Sequence, residues 1–137
     1  MVVLEVGYFW YKIGTGSFFN SFFSTVCVRL EGKKWGSRFP TIMEEFHAGE
    51  LSHENVKKAK EELKIIKEEL SHFPPSDIVW DARDLSKQPP WGDKISAHIT
   101  DLSIYFVTSD GRDLFDAMFL ALEDALEGSK DVLIRSV

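Results

Sequence analysis

The stretch "MVVLEVGYFWYKIGTGSFFNSFFSTVCVRLE", Met1 to Glu31, decides the fold. Val2, Leu4, Val6, Tyr8 and Trp10 share one parity, and residues 2–13 are rich in Val, Tyr, Phe and Trp. Alternation of this kind predicts a strand. "GTGS", Gly14 to Ser17, supplies turn residues that tolerate positive φ. Residues 18–30 are again aromatic and β-branched and read as a second strand. Together the two segments predict a long antiparallel N-terminal hairpin.

Working outward, "FPTIMEEFHAG" suggests a short helix, with Pro40 in its first turn and Gly49 at its end. Ser52 is a good N-cap before "HENVKKAKEELKIIKEELSHF", which predicts a helix over 53–72. Val56, Ala59, Leu63, Ile66, Leu70 and Phe73 form its apolar stripe. Lys57–Glu61, Lys58–Glu62 and Lys64–Glu68 are potential i,i+4 pairs on its wet side. Pro74 and Pro75 stop it. "DIVWD" reads as a short strand, 82–95 as a loop, and "DLSIYFVTS" as a strand with Leu102, Ile104, Phe106 and Thr108 inward. Asp110 then caps a helix over 111–127, whose Leu114, Phe115, Met118, Phe119, Leu122 and Leu126 face the core, and Gly128 ends it. "DVLIRSV" closes the sheet. The expected class is α+β: an antiparallel sheet with two main helices packed on one face, in a single domain over residues 1–137.

Composition is that of an ordinary globular chain, 44% hydrophobic and 28% charged, and 137 residues bury enough surface to need no disulfide or metal. The eleven Phe demand a bulky aromatic core or leave aromatic surface for a partner. Cys27, the one cysteine, lies in an apolar run and reads as a buried small hydrophobe. The N-terminus lacks a basic n-region, and no apolar run reaches the ~18 residues of a membrane span. The expected location is the cytoplasm. All ten Asp residues lie from Asp77 onward, and the net charge is −6. Such a surface repels nucleic acid and attracts basic protein.

No catalytic signature emerges. His47, His53, His72 and His98 have no metal-ligand spacing. "GTGS" is neither a nucleophile elbow nor a phosphate loop. Asp77, Asp81 and Asp84 in "DIVWDARD" could gather around Mg²⁺ or Ca²⁺, yet the calcium-loop pattern is missing, and a solvated acidic edge accounts for them. The expectation is therefore a binding protein without cofactor, metal or catalytic residues.

Two Trp-Gly pairs stand in turn-like sequence: "KKWGSRFPTIMEEF", Lys33 to Phe46, and "KQPPWGDKIS", Lys87 to Ser96. Proline stiffens each loop and Gly permits the turn. The ring either anchors the loop to the body or presents a flat hot spot to a partner.

Taken in order, "SFFSTVCVRLE", "KKWGSRFPTIM", "AKEELKIIKEEL", "VWDARDLSKQPPWGDKIS" and "DLSIYFVTSDGRDL" resemble the immunity protein 70 family of bacterial polymorphic-toxin systems, from Phe18 to Leu126. The resemblance implies an antitoxin that binds and neutralises the C-terminal toxic domain of a secreted effector, often a nuclease. It brings no catalytic residues with it. On charge and loop rigidity, the expected contacts to a basic toxin domain are Asp81, Asp84, Trp91, Asp93, Asp110 and Asp113. Two other readings stay open. One is a small hydrolase using Asp81, Asp84 or His98. The other is a sensing or scaffold module that dimerises through the aromatic hairpin.

Overall fold

Helical geometry takes over at Thr15. In a computed structural model, which describes all of residues 1–137, Thr15 is extended (φ −71°, ψ 159°) and its Oγ1 accepts the Phe18 N–H at 3.1 Å. That bond is an N-cap. It starts α1, Gly16–Leu30, where a second strand was expected. The apolar residues explain the correction. Phe18, Phe19, Phe22, Phe23, Val26, Cys27 and Leu30 recur at steps of three and four, and all are buried. Ser17, Asn20, Ser21, Ser24, Thr25 and Arg29 fall on the other face, and Ser21, Ser24 and Thr25 among them are buried as well, so the helix is enclosed on most sides. Ser21 Oγ turns back to the Phe18 carbonyl at 2.6 Å. Aromatic and β-branched content imitates a strand here because tertiary burial overrides propensity.

The hairpin is correspondingly shorter. It runs from β1, Val2–Val6, to β2, Phe9–Gly14, through a two-residue turn at Gly7 and Tyr8. Gly7 has φ +59°, and an added Cβ would lie 2.7 Å from Lys130 Nζ. β3 is Glu50–Leu51 and β4 is Val132–Ser136. The four strands form one antiparallel sheet in the order β2-β1-β4-β3. Leu4 stands between Tyr11 and Ile134 in the register. The class is α+β, as expected.

Two further long helices complete the fold: α2, Val56–Leu70, and α3, Leu114–Gly128. α3 lies against the sheet and α2 packs on α3. In α2 the predicted stripe Val56, Ala59, Leu63, Ile66 and Leu70 is fully buried, and Phe73 packs against the core just beyond it. α2 is preceded by a 3-10 turn at His53–Asn55, capped by Ser52. Glu62 does not pair with Lys58. Its carboxylate accepts the N–H groups of Thr41 (3.3 Å) and Ile42 (2.9 Å), which begin a π-helical turn at Thr41–Phe46. In α3 the N-cap is Asp113 rather than Asp110, and the buried face includes Ala117, Ala121 and Ala125. Leu126, expected inward, is exposed.

Two expected strands are not strands. Val79 in "DIVWD" is held by the Thr25 hydroxyl, which accepts its N–H and donates to its carbonyl, both at 3.1 Å. A side chain of α1 thus satisfies the groups that a neighbouring strand would bond. In "DLSIYFVTS" the chain turns through 101–105 and makes a single bridge, Val107 to Asp113.

Phe22 sits at the centre of the core, with the rings of Phe23, Phe106 and Phe115 at 5.3, 5.6 and 5.5 Å. All three contacts are edge-to-face, the arrangement aromatic quadrupoles favour. Ten of the eleven Phe are buried or half-buried; Phe9 is the exception. No helix is long and apolar enough to cross a membrane.

Candidate functional site

The first Trp-Gly loop is wired from a buried carboxylate. Glu31, only 4% exposed, accepts the N–H groups of Gly36 (3.0 Å), Arg38 (3.0 Å) and Phe39 (3.1 Å). Trp35 Nε1 donates to the Met43 carbonyl at 2.6 Å, and the ring meets His47 edge-on at 4.9 Å. Arg38 forks onto both Glu69 oxygens at 2.7 and 2.6 Å. Such a bidentate pair fixes geometry as well as charge, and the Arg38 fork holds Glu69 below the usual carboxylate range. Trp35, at 36% exposure, is an anchor.

The second loop is tied in the same way. Trp91 Nε1 donates to Tyr105 Oη at 2.9 Å, and its ring meets Trp80 edge-on at 5.4 Å. It is 38% exposed and lines a small apolar cleft with Phe18, Ile95, Ile99, Tyr105 and Val107.

The expected site acids fall in three places. Asp81 lines a cleft of about 680 Å³ with Trp35, His47 and Arg83. Its carboxylate accepts the Arg83 N–H at 2.9 Å and lies 3.5 Å from Lys87 Nζ. Asp84 caps its own turn by accepting the Ser86 N–H and hydroxyl, and these bonds lower its pKa. Asp93 and His98 are exposed on the loop. Asp110 accepts the Thr108 hydroxyl at 2.5 Å, which lowers its pKa. Asp113, half-buried, caps α3 by accepting the Asp116 N–H, and burial raises its pKa. Burial, then the charge of Arg83, lowers the pKa of His47. Cys27 lines the same cleft, but burial raises its pKa and keeps the thiol protonated at neutral pH.

The most exposed aromatic surface lies elsewhere. At the hairpin tip Tyr8 is 99% exposed, Phe9 61% and Trp10 55%. Phe9 and Tyr11 line a shallow groove of about 310 Å³ with Leu120, Glu123, Asp124 and Glu127 of α3. Tyr11 Oη donates to Asp124 Oδ2 at 3.1 Å. On the opposite face Trp10 Nε1 donates to Glu5, which also pairs with Arg135 at 3.0 Å. Sequence reasoning had the aromatic hairpin but not the α3 acids beside it. The available signal was "YFWY": four consecutive aromatics cannot all enter a core on a strand whose faces alternate.

The model of the immunity protein 70 family matches residues 4–134. The chain belongs to that family. No curated protein and no solved structure matches it. An immunity protein acts by meeting a toxin, so its exposed contact surfaces are its candidate functional sites.

Proposed function

We propose that this immunity protein binds the C-terminal toxic domain of a secreted polymorphic toxin in the cytoplasm and blocks it by direct contact. The family match over nearly the whole chain carries the reading. The net charge of −6 favours a basic toxin domain, and nuclease domains, which must grip phosphate, are commonly basic. In this reading Asp81, Asp84 and Asp93, with Asp110 and Asp113 at the start of α3, draw the toxin in. Trp91 adds an aromatic contact through its exposed portion. Neutralisation of this kind needs no cofactor and no catalytic step.

The test is co-expression with the toxin domain encoded beside this protein's own gene, scored by rescue of growth and by co-purification. Growth arrest despite co-expression, with no complex recovered, sinks the reading. Binding kinetics at two salt concentrations then examine the acids. Charge reversal at Asp84 or Asp93 should lower the association rate and flatten its salt dependence. An unchanged association rate in both variants removes these acids from the encounter.

A further inference from the structure

We propose that the open edge of β2, with the aromatic tip Tyr8–Phe9–Trp10 and the acidic groove of α3, is the docking site for a basic, extended segment of the toxin domain. This rests on the antitoxin reading above and names the surface and the partner chemistry.

Three observations converge on it. The first is the edge itself. β2 ends the sheet, with β1 as its one strand neighbour. Outside that ladder its only backbone bond is from the Ser109 N–H to the Ile13 carbonyl, at 3.0 Å. The edge is therefore closed at its Gly14 end and open along Phe9–Lys12. Four residues span about 13 Å, enough for a short added strand. Open edges are normally blunted by charge, proline or a covering element, because they recruit other chains. Lys12 is the single charged residue on this one.

The second is the aromatic tip. Three successive large aromatics project from the hairpin, although the same chain encloses its other Phe residues in the core. Folding does not account for Tyr8, which buries almost nothing. Rigid exposed Tyr and Trp side chains are what tight interfaces use as anchors.

The third is charge. Glu123, Asp124 and Glu127 crowd the C-terminal part of α3, which contains no Lys or Arg. The partial negative charge of a helix C-terminus favours cations there. Acids at that end oppose the helix; Lys60 of α2 offsets Glu123 at 3.4 Å and the Tyr11 hydroxyl bonds Asp124, which leaves Glu127 with no partner inside the fold. All three face the groove beside Phe9 and Tyr11, where they complement Lys or Arg side chains of an incoming strand. A second copy of this chain fits poorly, since two-fold pairing along β2 would bring acidic groove against acidic groove.

The experiment uses the toxin domain captured by wild-type protein in the co-expression test, inactivated by substitution. Two variants are measured against it: Tyr8→Ser/Trp10→Ser and Glu127→Lys. Each should bind at least tenfold more weakly while keeping the wild-type urea midpoint. In the complex, amide exchange at Phe9–Lys12 should slow markedly. If both variants bind as wild type, this surface is not the site, although the antitoxin reading survives. If binding weakens but the β2 amides are not protected, the added strand is wrong. If wild type captures no toxin domain, both proposals fall. Should the tip variant lose stability, the α3 variant decides alone. A free protein that is dimeric by sedimentation, and monomeric in the tip variant, would make this a self-interface and overturn the inference.

Discussion

The two Trp-Gly loops and the hairpin tip are both aromatic, yet their rings are held in opposite ways. Trp35 and Trp91 each give their indole N–H to an acceptor within the body, and each ring meets another aromatic edge-on. At the tip, Tyr8 in the turn and Phe9 at the start of β2 are tied to nothing, Trp10 reaches only Glu5 of the neighbouring strand at 3.3 Å, and all three keep most of their surface in solvent. The difference teaches where to look for work done outside the fold. A Trp beside Pro and Gly is conspicuous in sequence, but its neighbours spend it on holding a loop. An aromatic that buries nothing, as Tyr8 does, contributes little to folding.

The sharpest way to break this comparison is at Glu31. Glu31→Ala strands three N–H groups, two of them buried, and should cost about 3 kcal/mol or more in urea unfolding. A loss under about 1 kcal/mol would mean that the "WGSRFP" loop stands without its carboxylate. Leu63→Ala, under α2, should cost about 2–5 kcal/mol and serves as the reference for a core truncation.

Next come the anchors. Trp91→Phe keeps much of the ring but loses the bond to Tyr105, for an expected cost of about 1 kcal/mol. By contrast, Tyr8→Ser should change stability by no more than about 0.5 kcal/mol, as exposed positions do. Equal costs at Trp91 and Tyr8 would erase the distinction between tied and free aromatics.

The smallest effect is a pH dependence. Burial lowers the pKa of His47, which packs against Trp35 and Phe23. The unfolded chain takes up this proton at about pH 6.5, and the folded chain only at lower pH. Between those values the unfolded state binds more protons, so stability rises with pH. The contribution is complete above about pH 6.5 and is lost as pH falls toward the folded-state value. Urea midpoints across this range should decline for wild type and stay flatter for His47→Phe. Identical slopes would show that the imidazole is not held neutral by the loop.

Part of the architecture was legible because its causes are local. The α2 stripe at Val56, Ala59, Leu63, Ile66 and Leu70 sits on a helix with one wet face, and its period of 3.6 appears directly in the residues. The closing strand, the α3 segment and the sheet-plus-helix class followed in the same way, and the ordered motifs carried the family. α1 carries the same period, with Phe18, Phe19, Phe22, Phe23, Val26, Cys27 and Leu30 on one face and Ser17, Asn20, Ser21, Ser24 and Thr25 on the other, but its Phe and Val content is what a strand would also use and masks it. Of the expected contact residues, the acids and Trp91 stood out as residue types, but their bonds to Ser86, Thr108, Arg83 and Tyr105 did not.

What the sequence determined by itself, then, is the class of fold, the family and the acidic balance, since each depends on composition or on the order of residues along the chain. Only the tertiary structure decided that "DIVWD" is not a strand, that Trp35 and Trp91 are anchored, and that the hairpin tip meets the α3 acids. Those outcomes depend on groups far apart in sequence: Thr25 with Val79, Trp91 with Tyr105, Tyr11 with Asp124. No local pattern records such a pairing, because neither residue of a pair needs the other until the chain has folded.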